Sequence, residues 1–74
     1  MHRYREFEQI RAIVTDEAPD QPLTAREIRE ILIEHGVEID SSHRIATVLG
    51  HHADSGAVDV IRSSPYRYRI RDNS

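Results

Sequence analysis

Apolar residues recur at three- and four-residue spacing over the first part of the chain. Tyr4, Phe7, Ile10, Ile13 and Val14 are separated by Arg5, Glu6, Glu8, Gln9 and Arg11, the pattern of an amphipathic helix from about Arg3 to Asp16. The next segment, Asp16-Glu17-Ala18-Pro19-Asp20-Gln21-Pro22, carries two prolines and three acids. It reads as a surface loop, because proline lacks the amide donor a helix needs and clashes with the preceding turn. Leu23-Thr24-Ala25-Arg26-Glu27-Ile28 then marks a helix start twice over: Thr24 and Glu27 form a capping box, and Leu23 and Ile28 stand where a hydrophobic staple needs them. This second helix buries Ile28, Ile31 and Leu32 and stops at Gly36, which suits a left-handed residue just past a helix end.

Val37-Glu38-Ile39 is short and extended, and Asp40, Ser41 and Ser42 offer three adjacent N-caps for a third helix from about Ser42 to Asp54. Steps of roughly 100° per residue put Ile45, Val48, Leu49 and His52 on one side of it and His43, Thr47, Gly50 and Asp54 on the other. Gly56 is a second helix stop. Val58 to Arg62, Ser63-Ser64-Pro65 and Tyr66 to Arg71 read as strand, short connection and strand. In the last strand Tyr66, Tyr68 and Ile70 alternate with Arg67, Arg69 and Arg71, so one face packs and the other is cationic.

The order helix, loop, capped helix, turn, helix, glycine, hairpin resembles a winged helix-turn-helix domain over nearly the whole chain. The stretch from Leu23 through Ser42 and Arg44 to Leu49, Gly56, Val58 and the Tyr66-to-Ile70 strand looks like the short winged-helix proteins of archaeal and bacterial regulators. The resemblance implies an α+β fold of three helices followed by a two-stranded antiparallel wing, with the third helix as recognition helix. The connection from Gly36 to Ser41 is longer than the tight turn usual between the two helices. His52 stands where the family pattern usually carries a large apolar residue.

At 74 residues the chain accommodates one domain, expected to be ordered from about residue 3 to 71, and one thin core. No cysteine is present, which removes disulfides, thiolate nucleophiles and cysteine-bound metal centres and fits a cytoplasmic protein. No apolar run is long enough for a membrane span. All ten basic residues are Arg against thirteen acids, a skew expected of a GC-rich, salt-adapted proteome such as that of a halophilic archaeon, or of mutational bias without functional content. Residues 1 to 38 hold nine acids and five Arg, residues 39 to 74 four acids and five Arg, so the second half is the anion-facing one.

These features define the candidate site for double-stranded DNA. With the third helix in a major groove, Ser42, His43, Arg44, Thr47 and His51 would face the duplex. The small side chains at Ala46, Thr47 and Gly50 permit close approach, and Arg44 or His43 could donate to guanine N7 or O6. Asp54 repels phosphate and favours contacts near the helix start. On the hairpin, Arg62, Arg67, Arg69 and Arg71 would reach phosphate or a narrow minor groove, with Ser63 and Ser64 adding neutral contacts at the tip. Neutralising about four phosphates gives log K a slope near −3.6 against log salt, so binding at about 3 M salt would require a dimer or direct base contacts.

The competing expectation is a protein-interaction or homodimerisation module, in which the small-residue helix face packs on a partner and the arginines are a solvated strand face that discourages aggregation. The two diverge on whether Arg44, Arg62, Arg67 and Arg69 share one surface or are paired with acids such as Glu38 and Asp59. No catalytic set or cofactor is implied: the chain has no glycine-rich phosphate loop, lysine or thiol. His43 and His51 lie roughly 12 Å apart along one helix, too far to share an ion.

Overall fold

A computed structural model describes residues 2–18 and 21–71, with side chains from residue 6 onward. Tyr4, expected on the packed face of the first helix, lies outside the described side chains. Among the described residues three helices form: α1 (His2–Glu17), α2 (Ala25–Glu34) and α3 (Ser42–Ala53). Three strands complete the domain: β1 (Leu23–Thr24), β2 (Val58–Ile61) and β3 (Arg67–Ile70). None of these helices is long and apolar enough to cross a membrane.

The sheet differs from the expected two-stranded wing. It is three-stranded and antiparallel in the order β1-β3-β2, with Leu23 opposite Tyr68 and Thr24 opposite Arg67 on one side of β3. On the other side Val58, Asp59, Val60 and Ile61 face Ile70, Arg69, Tyr68 and Arg67. The two residues of β1 are too few for any alternation to announce a strand. Leu23 therefore serves twice, before the α2 cap and as a sheet residue whose side chain is buried.

The expected helix signals take physical form. Thr24 Oγ1 accepts from the Glu27 amide (3.1 Å) and the Glu27 carboxylate accepts from the Thr24 amide (2.9 Å), closing the capping box. At the other end of α2 the Val37 amide donates to Leu32 O (2.9 Å) and the Gly36 amide to Ile33 O (3.0 Å). That pair of bonds forces the intervening residue to positive φ, and Gly36 sits at +81°. Ser41 caps α3 by accepting from the Arg44 amide.

The core takes Phe7, Ile10 and Val14 from α1, Ile28 and Leu32 from α2, and Ile45, Val48 and Leu49 from α3. Leu23, Val58, Tyr68 and Ile70 close it from the sheet. The helix faces and the strand alternation assigned from spacing are those that pack, except that Tyr66 at the start of the last strand is 50% exposed. His52, in a place suited to a large apolar side chain, stacks its ring on Phe7 with centroids 3.8 Å apart and planes 10° apart. The imidazole thus covers a buried aromatic as an apolar residue would, while the residue as a whole stays partly exposed.

Candidate nucleic-acid interface

The first turns of α2 and α3 and the start of β3 border one groove of about 510 Å³. Thr24, Ala25 and Arg26 form one wall, Ser42, His43 and Ala46 the second, and Pro65, Tyr66 and Tyr68 the third. Helix N-termini carry partial positive charge and unsatisfied amides, and here two of them stand beside Arg26, an exposed cation with no ion pair among the described residues. Burial raises the Tyr68 phenol above its ordinary pKa, with the neighbouring Tyr66 adding to the shift.

Beyond the groove, α3 presents His43, Thr47 and Gly50 to solvent. The Thr47 hydroxyl donates back to His43 O (3.0 Å), which satisfies its donor within the helix. A Cβ at Gly50 would meet nothing within 4 Å, so this face is open as well as smooth. His51 is exposed on the same helix.

The arginines divide among three places. Arg44 turns to the flank of α3 and grips Glu6 of α1, with Nε donating to Oε2 (3.2 Å) and Nη2 to Oε1 (2.9 Å). That hydrogen-bonded pair, together with the Glu6 charge, raises the Arg44 guanidinium pKa above its ordinary value. Arg67 and Arg69 project from the sheet face opposite to Tyr68, since successive strand residues point to opposite sides. There Arg69 Nη2 (3.2 Å) and Arg71 Nε (3.1 Å) both donate to Asp59 Oδ2, while Arg67 Nη1 lies 3.9 Å from Glu27. Arg62 and Ser64 are exposed in the hairpin connection, which contains a cis Ser64–Pro65 peptide.

Of the residues expected to bind DNA, Ser42 and His43 border the groove and Thr47 adjoins it on the exposed face. Arg67 and Arg69 lie on the far side of the sheet, and Arg44 is held on the α1 side. Asp59 is the reason the cationic strand face is partly neutral: the β2–β3 register sets it directly opposite Arg69. Arg26 escaped the sequence reading because it sits inside a capping motif whose role looked fully structural. The available signal was that a capped first turn also exposes amides for an anion.

Asp59 gives a direct pH test. Hydrogen bonds from Arg71 and then Arg69 hold its carboxyl below the usual carboxylate range, so its folded-state pKa lies under the unfolded one. The stabilisation is therefore present above about pH 4 and is lost as pH falls through the depressed value. Urea midpoints measured at falling pH should drop more steeply for the natural chain than for Asp59→Asn. Equal acid sensitivity would mean the pair adds nothing to the hairpin.

Comparison with protein-family models, curated proteins and solved structures finds no match to this chain.

Proposed function

We propose that this domain is a winged helix-turn-helix module that binds double-stranded DNA, with α3 entering the major groove. The layout of three helices and a three-stranded antiparallel sheet is compatible with that family. The observation that carries the reading is the juxtaposition on one side of the domain. The open face of α3, made of His43, Thr47 and Gly50, lies beside a groove where two helix N-termini meet Arg26 and the half-exposed Tyr66. An α-helix fits the major groove of B-DNA, and small side chains let its backbone approach base edges. The flanking amides, with Arg26 and Ser42, suit the adjoining phosphates.

The placement of the arginines shifts this reading from the hairpin to the helices. Arg69 and Arg71 share Asp59 on the other face of the sheet, so the hairpin supplies fewer free charges than its sequence suggests. The salt dependence should accordingly be shallow: about two phosphates neutralised gives a log–log slope near −2, against about −3.6 for four. Fluorescence-anisotropy titration against generic duplex DNA at several salt concentrations measures this slope. Micromolar binding with a slope near −2 supports α3 with the groove. A slope near −4 returns the hairpin arginines to the interface, and no binding at low salt removes the DNA reading.

A second reading, a protein-interaction or dimerisation module, is favoured by the ion pairs that occupy Arg44, Arg69 and Arg71. It is also favoured by Ile33, 47% exposed beside Val37 and Ile39 in a shallow groove at the α2–α3 connection. Sedimentation of the same sample separates the two: a stable dimer that ignores DNA supports this alternative.

A further inference from the structure

The Glu6–Arg44 pair joins positions 38 apart in sequence. Its geometry is side-on. Glu6 takes one hydrogen from Nε and one from Nη2, and a guanidinium has five N–H donors in a rigid plane. Three donors are left, and two of them, one on Nη1 and the second on Nη2, point in parallel from the end of the fork. That spacing matches the O6 and N7 acceptors of guanine in the major groove. The Arg44 side chain is 51% exposed while Glu6 is only 21% exposed, and the end of the fork is the edge that the bonds to Glu6 leave unused.

Arg44 stands on the α1-side flank of α3, outside the groove and next to the exposed His43. It is in the first turn, one residue after His43, where Ser41 accepts from its own amide, and the first turn of a recognition helix is the part that reaches base edges. An unsupported arginine samples many rotamers and must lose that freedom on binding. Here the carboxylate from α1 has already fixed the plane and direction of the fork.

We propose that Arg44 reads a guanine and that Glu6 is its positioning residue, fixing the guanidinium edge-on for the base. This rests on the DNA reading above and adds to it a base identity and a residue from α1 that need not touch DNA. Glu6 contributes in two opposing ways. Its negative charge opposes binding to any duplex, whose phosphates carry the same sign, whereas its hold on Arg44 favours duplexes with guanine at one position. Affinity and specificity should therefore separate when it is altered.

The test is selection from a randomised duplex library with the natural chain, Arg44→Ala, Arg44→Lys and Glu6→Gln, each checked for folding by circular dichroism. Affinity for a pooled random duplex is measured in parallel. The natural chain should prefer guanine at one position by roughly 5- to 100-fold, the range of a good bidentate base contact. Arg44→Ala should erase that preference, and Arg44→Lys should fail to restore it because an ammonium has no fork. Glu6→Gln should weaken the preference roughly tenfold or to the limit of detection, with pooled-duplex affinity unchanged or higher. A Glu6→Gln protein that gains affinity for every duplex and keeps its guanine preference overturns the proposal, because Glu6 then only masks charge. A loss of thermal stability with the preference intact overturns it too. If the natural chain binds no duplex, the DNA reading falls and this inference falls with it.

Discussion

Leu49→Ala is expected to leave the domain close to unfolded at physiological temperature. Leu49 is fully buried, with Ile45 and Val48 of the same helix packed against α1, α2 and the sheet. Truncating a buried leucine to alanine costs about 2–5 kcal/mol, the spread reflecting how far the site can collapse. A domain of this length has a total stability of about 4–11 kcal/mol, so one side chain can account for half of it. Urea unfolding followed by circular dichroism measures the effect. With a slope of about 1 kcal/mol per molar, the midpoint should fall by about 2 M or more. A shift under about 1 M would mean that the small branched neighbours close over the gap. Ile33→Ala is the matched control, since Ile33 is exposed on α2 and surface substitutions usually stay within about 0.5 kcal/mol.

Thr47→Glu should abolish duplex binding without harming the fold. Thr47 lies at the centre of the exposed α3 face, between His43 and Gly50 on successive turns. A carboxylate there meets the acceptors and phosphates of a major groove, and a like-charge juxtaposition at an interface costs several kcal/mol. Affinity should fall on the order of 100-fold. Stability should hold, because glutamate is a better helix former than threonine by a few tenths of a kcal/mol, which offsets the lost bond from Thr47 to His43 O. The same anisotropy titration reads the outcome. Undiminished binding by a folded Thr47→Glu protein would place DNA elsewhere on the domain.

The helices were legible because each is specified locally. The capping box at Thr24 and Glu27, the glycine after α2 and the serine before α3 all act within a few residues, and the 3.6-residue spacing of Phe7, Ile10 and Val14 names its own buried face. The third strand was not legible: β1 is two residues long, and its partner lies more than forty positions away. The candidate site was readable in the same proportion. The open face of α3 follows from helical geometry, and His43, Thr47 and Gly50 are where that geometry puts them. The fate of the arginines does not follow from spacing. Ten residues from Arg62 to Arg71 contain no acid, yet hairpin register brings Asp59 across to Arg69, and Glu6 reaches Arg44 only through the packing of α1 on α3.

The order β1-β3-β2 makes the central strand of the sheet the last of its three in sequence. During synthesis, β1 and β2 must therefore leave the ribosome before the strand that joins them exists. Until Tyr68 and Ile70 emerge, the three helices have no cover on their sheet side, and Leu23 and Val58 wait with both strand edges open. Completion of the core thus waits for a strand that pairs with residues more than forty positions earlier. Until then a growing chain carries its apolar surface exposed, and it is the arrival of four residues, Arg67 to Ile70, that hides it.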